Sequence, residues 1–148
     1  MSLRKLIGLF VLVTAVGLVL SPRANARAEG GAQRALRAAL FHMKEAKDEL
    51  KDERLKGHHD KIEKDLNIAI KEIEFAAKEG KFETKFEPAK GWDEKYKSFR
   101  HLRQAIVELK EAKKDLAEEK GDWARRKELQ AAINDALEHL EDALKDIK

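Results

Sequence analysis

Arg34–Glu53 reads RALRAALFHMKEAKDELKDE, and a closely similar stretch returns at Arg100–Glu119 as RHLRQAIVELKEAKKDLAEE. At this offset of 66 residues, ten of the twenty positions are identical, including the run KEAK. In both copies apolar residues recur at steps of three and four, which predicts an amphipathic α-helix. These apolar positions are Leu36, Leu40, Met43 and Leu50 in the first copy and Leu102, Ile106, Leu109 and Leu116 in the second.

A second apolar stripe with helical spacing follows each copy, after a glycine. Its residues are Ile62, Leu66, Ala69, Ile73 and Ala76 in one half and Leu129, Ile133, Ala136, Leu140 and Ala143 in the other. The repeated unit is thus a helical hairpin, and one hairpin cannot bury its stripe alone. The sequence predicts an all-α, up-down-up-down four-helix bundle, with hairpins at 34–78 and 93–148 and a connector at 79–92. An elongated pair of hairpins that forms a homodimer is the alternative.

The N-terminus has the features of an export signal. Arg4 and Lys5 precede Leu6–Leu20, fifteen residues without a charge, and small residues follow at A-x-A spacing. We expect residues 1–26 to be a signal peptide, cleaved after residue 26 or 28, with a flexible N-terminus at 27–33. The alternative is an uncleaved anchor, although fifteen residues fall short of the roughly 20 that a spanning helix needs. Cleavage would leave a periplasmic or secreted protein without a membrane span.

Charge and cysteine content narrow the function classes. The chain has 31 basic and 28 acidic residues, but three of the basic residues and none of the acidic ones lie in residues 1–26. The remainder is neutral overall, which gives no electrostatic case for nucleic-acid binding. The chain has no cysteine, which excludes disulfides and thiolate metal sites. We expect a monomer or a weak homodimer.

Catalysis has no candidate group of residues in this sequence. Only one serine, Ser98, follows the signal, and neither an E-x-x-H nor a G-x-S-x-G motif is present. We therefore expect a protein that is not an enzyme and has no cofactor, unless it binds a metal ion.

The strongest metal-site candidate is the turn at His58, His59 and Asp60. Imidazole with carboxylate suits copper, nickel or zinc. A weaker candidate is the pair His101 and His139, which antiparallel helices would place at similar heights. For both groups the alternative is a set of solvated polar side chains.

The remaining histidine, His42, and also His101 lie one residue before an apolar seam position. This spacing predicts that both side chains point to solvent or to the flank of the bundle.

Aromatic residues concentrate around the connector, at Phe75, Phe82, Phe86 and Trp92. One interpretation is that the last three cap an end of the bundle and cover Phe75. The other is an exposed apolar patch that binds a partner protein or lipid.

Lys47 and Lys113 occupy equivalent seam positions in the two copies. Their stems are expected to cover apolar surface while the ammonium groups reach water. The alternative is a pair of inward lysines that holds an anionic ligand.

Three stretches, LRAALFHMKEAKDELK, KGHHDKIEKDLNIAIKEIE and HLRQAIVELKEAKKDLAEE, carry a family resemblance. The chain resembles small exported proteins built from duplicated helical hairpins, such as the periplasmic small metal-binding protein family. That resemblance implies a four-helix bundle that buffers divalent metals. It would assign the ligands to the histidines, namely His58 and His59 and also His42, His101 and His139.

The sequence favours a non-enzymatic, exported helical bundle with a binding or structural role in the cell envelope. A low-affinity metal-buffering protein that binds copper, nickel or zinc is the first alternative. An amphipathic protein that binds lipid or a protein partner is the second.

Overall fold

The computed structural model of the chain describes residues 30–51, 57–120 and 123–145, so the expected signal peptide lies outside the described residues. Over these ranges the chain forms no strand and four α-helices, which are α1 (Gly31–Glu49), α2 (His59–Gly80), α3 (Arg100–Glu118) and α4 (Arg126–Lys145). None of these helices is both long and apolar enough to cross a membrane. The predicted four-helix, all-α architecture is confirmed.

The apolar stripes of all four helices face one another and form a single core. Each fully buried leucine or isoleucine contributes about 1.5–3 kcal/mol to the free energy of folding. Alanine is frequent in the α1 stripe, where Ala35, Ala39 and Ala46 are fully buried. Small side chains let two helices approach closely, and α1 and α3 share the most extensive contact of any helix pair. The largest buried side chains are Leu36, Leu40, Met43, Leu50, Ile62, Leu66, Ile73, Leu102, Leu109, Leu116 and Leu129.

Helices α1 and α3 run antiparallel and cap each other. The backbone N–H of Ala32, at the start of α1, donates to the Glu119 carboxylate just beyond the end of α3, at 3.0 Å. At the other end, the N–H of His101 donates to the Glu49 carboxylate at 2.9 Å. A carboxylate at a helix N-terminus satisfies free N–H groups and complements the helix dipole. The two helices therefore stabilise each other's first turns.

The order of helix directions differs from the predicted one. Helices α2 and α4 are also antiparallel, because Glu72 of α2 pairs with Arg125 before α4 while Asp65 contacts His139 farther along α4. Helices α1 and α2 are antiparallel as well, because Lys44 pairs with Glu74 while Lys47, farther along α1, contacts Asn67 nearer the start of α2. The bundle is therefore up-down-down-up, and the predicted up-down-up-down order is wrong.

The segment between α2 and α3, residues 81–99, explains this order. It begins at one end of the bundle, where Phe82 contacts Trp123, and finishes at the other end, where Trp92 contacts His101. A helix of 19 residues such as α3 is about 28 Å long, and an extended segment of this length can span more than that. We call residues 81–99 the crossover.

The crossover is longer than the predicted connector at 79–92 because α3 begins at Arg100 rather than at Asp93. Phe99 adopts the left-handed conformation (φ 48°, ψ 50°), which the helix cannot continue through. The helix start is fixed by Glu49 of α1, a residue that no local pattern connects to it. Asp93 instead forms an ion pair with Arg100 at 2.6 Å.

Two further boundaries differ from the predictions. Helix α1 begins at Gly31, so 31–33 are helical and not part of a flexible N-terminus, because the Glu119 carboxylate accepts the N–H of Ala32. At the start of α2, His58 takes the N-cap position and Asp60, one of the metal-site candidates, lies inside the first turn. Helix α2 ends at Gly80, two residues beyond the predicted hairpin boundary at 78, with Lys81 in the left-handed conformation.

Candidate functional site

Two histidines meet in the interface between α1 and α3. Nδ1 of His42 lies 3.2 Å from Nδ1 of His101, so one ring donates a hydrogen bond to the other. His42 is only 1% exposed, and His101 is partly buried. Of the two predicted positions, solvent and the flank of the bundle, the ring of His42 takes the flank, where Phe86 and Trp92 of the crossover shield it from solvent.

Three aromatic rings surround the histidine pair. Trp92 lies against both imidazoles, with centroid distances of 4.5 Å to His42 and 4.8 Å to His101. Phe86 and Phe41 contact His42 at 6.0 Å and 5.0 Å. Phe41 comes from α1, whereas Phe86 and Trp92 come from the crossover. We call these five residues the histidine cluster.

Consecutive turns in the crossover position the indole of Trp92. The N–H of Trp92 donates to the carbonyl of Ala89 at 3.2 Å, and the N–H of Glu94 donates to the carbonyl of Gly91 at 3.2 Å. Gly91 has a φ of 77°, which a side chain would strain, and an added Cβ would lie 3.0 Å from the Glu94 carboxylate. Glycine at this position therefore permits the turn that directs Trp92 onto the histidines.

The surroundings of His42 disfavour its charged form. The pKa of His42 is lowered from 6.5 to about 4, mainly by burial, and the neighbouring His101 and Lys95 contribute to this shift in the same direction. At neutral pH the ring is uncharged and keeps a nitrogen lone pair available.

The distance between the two Nδ1 atoms is close to that of two ligands on one metal ion. Bonds of about 2.0–2.1 Å at a tetrahedral angle place two nitrogens about 3.3 Å apart. Among the residues that the structure describes, no group of three or more His, Cys, Asp or Glu side chains is placed to hold a metal ion. The cluster therefore offers two protein ligands.

The other histidines have different surroundings. His139 contacts the Asp65 carboxylate of α2, so His101 and His139 have separate partners instead of forming the predicted pair. His59 lies 3.4 Å from the Asp60 carboxylate and 3.8 Å from that of Glu63, at the exposed start of α2. Contacts of this kind between imidazole and carboxylate also occur in ordinary solvent-exposed ion pairs.

A second buried polar group, which the sequence did not reveal, lies farther along α3. Glu108 is 6% exposed, and its Oε1 accepts a hydrogen bond from the Gln104 amide at 2.8 Å. The Tyr96 hydroxyl of the crossover donates to the Gln104 carbonyl oxygen at 3.0 Å. Oε2 of Glu108 is buried without a hydrogen-bond partner among the described residues.

Burial raises the pKa of Glu108, and the nearby carboxylate of Glu111 raises it further. The hydrogen bond from Gln104 and the charges of Arg34 and Lys95 act in the opposite direction. The sequence feature that could have pointed to Glu108 is its position in the repeated stretch. Glu108 lies 66 residues after His42, so both precede a seam residue in the repeated stretch.

The aromatic residues predicted to bind a partner are distributed along the bundle. Phe82 packs against Trp123 at one end, while Phe86 and Trp92 belong to the histidine cluster, so the prediction that the three jointly cap one end is wrong. Phe75 is covered by the guanidinium of Arg125, 4.9 Å from its ring centroid. All four predicted residues are partly buried.

The two seam lysines lie at the edge of the core. Lys47 is partly buried, and its ammonium donates to the Asn67 side chain at 2.9 Å. Lys113 is exposed. These positions fit the interpretation in which the stems cover apolar surface.

Comparison with known proteins gives no match among protein-family models, curated proteins or solved structures.

Proposed function

We propose that this protein is a non-enzymatic metal-binding protein of the cell envelope, which holds a transition-metal ion between His42 and His101. One observation carries the proposal, namely two imidazole nitrogens 3.2 Å apart on two different helices. Imidazole is a good ligand for copper, nickel and zinc, and the separation suits two bonds to one ion.

The helices that carry the ligands support this role because they restrict the movement of the two rings. The Glu49 carboxylate accepts the N–H groups of residues 101 and 102, each at 2.9 Å, and so fixes the turn of α3 that bears His101. Helix α1 lies in the most extensive helix contact of the bundle. Ligands that are already close lose little conformational freedom on binding, which favours affinity.

The cell-envelope location rests on the sequence features of residues 1–26. A charged start, an apolar stretch and an A-x-A site are typical of a secretory signal peptide. Intact-mass measurement of the protein from an envelope fraction is expected to give a chain that begins at residue 27 or 29. A mass that retains Met1 would contradict this location.

A titration tests the metal site. Zinc, nickel and copper(II), and copper(I) under anaerobic conditions, would be added in separate titrations to the folded mature protein, with calorimetry reporting stoichiometry and affinity. We expect one ion per chain and a loss of affinity of at least about tenfold in His42→Phe and in His101→Phe. Phenylalanine fills the space of imidazole without a ligand atom.

The matched control is Glu108→Gln, which changes the equivalent buried position of the other copy and is expected to bind as the parent does. Thermal unfolding of each variant verifies folding. Absence of binding by the parent chain would contradict the proposal. So would binding that survives in both histidine variants and disappears when His58 and His59 are replaced.

A further inference from the structure

The histidine cluster combines a low number of protein ligands with an aromatic cover, and this combination selects among ions. We infer that the ion for which the site is built is copper(I), bound by Nδ1 of His42, Nδ1 of His101 and the face of the Trp92 indole. This inference rests on the proposed function, because it assumes that the histidine pair binds a metal, and it adds the identity of that metal.

The number of protein ligands is the first argument. Zinc in proteins is almost always four-coordinate, and nickel(II) and copper(II) favour square-planar or tetragonal sites. The described residues bring two imidazoles together and add no third His, Cys, Asp or Glu side chain to them. Copper(I) is singly charged and forms stable complexes with only two or three ligands, whereas zinc(II), although its d shell is also filled, almost always takes four.

The aromatic cover is the second argument. A divalent ion held by two imidazoles would need water molecules to complete its coordination. Here His42 is 1% exposed, and Phe41, Phe86 and Trp92 occupy the space around the pair. Losing bound water costs far more for a doubly charged ion than for a singly charged one, because the solvation energy of an ion rises with the square of its charge.

The position of Trp92 is the third argument. The indole centroid is nearly equidistant from the two imidazoles, at 4.5 Å and 4.8 Å, with interplanar angles of 56° and 50°. An ion between the two Nδ1 atoms would therefore lie beside the indole. Aromatic rings attract cations through their faces, and copper(I) in addition donates d electrons to π-systems, which zinc and nickel(II) do much less.

Copper(I) binding requires no redox step and releases no net proton. Each Nδ1 donates its lone pair to an ion that is already monovalent. The ring that carries its proton on Nδ1 in the metal-free pair transfers that proton to its own Nε2, through solvent, and remains neutral. No bond in the protein breaks, and the ion keeps its oxidation state.

The test is an anaerobic competition experiment on the folded mature chain. Copper(I) would be partitioned between the protein and a chromophoric copper(I) chelator, and zinc and nickel between the protein and chelators of known affinity. We expect one copper(I) per chain, bound at least about tenfold more tightly than zinc or nickel. In a Trp123→Phe background, where Trp92 is the remaining tryptophan, copper(I) is expected to quench the fluorescence in proportion to occupancy.

The role of the indole is tested by replacing it. Trp92→Leu is expected to lower the preference for copper(I) over zinc by about tenfold, whereas Trp92→Phe, which keeps an aromatic face, should retain part of it. Thermal unfolding identifies any variant that does not fold. If Trp92→Leu does not fold, the comparison of Trp92→Phe with the parent decides whether the indole contributes to the preference for copper(I).

The outcomes separate the two levels of the proposal. Tight zinc or nickel binding at His42 and His101 without a preference for copper(I) would overturn this inference and leave the proposed function in place. Absence of binding by any of the ions would overturn both. Copper(I) binding that is unaffected in His42→Phe would place the ion elsewhere and overturn the inference.

Discussion

His42 and Glu108 occupy equivalent positions of the two repeated stretches and are both buried, yet their surroundings differ. Nδ1 of His42 has a partner in His101, and aromatic rings cover the pair. Glu108 keeps one carboxylate oxygen without a partner among the described residues. A duplicated packing surface thus places two polar side chains in the interior, and the crossover covers one of them, His42, with the rings of Phe86 and Trp92.

The difference also appears in the direction of each pKa shift. Burial lowers the pKa of His42 and raises the pKa of Glu108, because in both cases it disfavours the charged form. The folded chain therefore loses stability at His42 as the pH falls below 6.5 and at Glu108 as the pH rises above 4.5.

The largest effect is expected for the loss of stability in acid that His42 causes. With a folded pKa of about 4 against 6.5 in the unfolded chain, the unfolded state takes up more protons, so stability is present above pH 6.5 and is lost as the pH falls toward 4. The shift corresponds to about 3 kcal/mol. Urea unfolding at a series of pH values should show this slope in the parent and lose it in His42→Phe. A slope of the same size in His42→Phe would contradict the assignment, and His139→Gln serves as the control.

The aromatic cover is expected to contribute the next largest effect. Trp92→Ala removes a partly buried indole, which we expect to lower the free energy of unfolding by about 2 kcal/mol, because a fully buried aromatic side chain costs more. The corresponding change beside Glu108 is Tyr96→Phe. It removes only the hydroxyl that donates to Gln104 and should lower the free energy of unfolding by about 1 kcal/mol. If urea unfolding gave equal losses of free energy for the two variants, the residues that cover His42 and Glu108 would not differ in their contribution to stability.

Replacing the buried carboxylate is expected to stabilise the protein. Because the pKa of Glu108 is raised, its stability contribution is greatest below the unfolded value of 4.5 and falls as the pH rises through the folded value. At neutral pH, Glu108→Gln should increase the free energy of unfolding by about 1 kcal/mol, since a neutral amide avoids burying a charge. Glu111→Gln, an exposed neighbour, should have a smaller effect. A loss of stability in Glu108→Gln would contradict this account of the carboxyl group.

The smallest effect is expected at Lys95, whose charge changes the pKa values of both His42 and Glu108. The charge of Lys95 lowers the pKa of His42 and that of Glu108. In Lys95→Gln both titration midpoints, followed by NMR, should therefore rise. Movement of only one midpoint would show that Lys95 does not link the two.

Much of the fold follows from the repeated stripes. Leu36, Leu40 and Met43 are buried as their spacing predicts, and Gly80 ends its helix. These features depend on local periodicity, which the sequence displays directly. The helix order does not follow, because it depends on the path of residues 81–99, whose turns and aromatic contacts have no regular pattern.

The histidine cluster was only partly predictable. The sequence showed that His42 and His101 lie beside the seam, but it could not show that antiparallel packing of α1 and α3 brings them to 3.2 Å. An up-down-up-down order would run these two helices in the same direction and separate the pair. The start of α3 was missed for the same reason, since Glu49, which fixes it, belongs to another helix.

The first metal ion is expected to enter between His42 and His101. The most direct measurement follows the side-chain nitrogens of all five histidines by NMR while one equivalent of zinc or copper(I) is added. We predict that the Nδ1 signals of His42 and His101 shift first and together, with the remaining histidines changing only at higher metal concentration. First shifts at His58 and His59, with His42 and His101 unchanged, would contradict the claim.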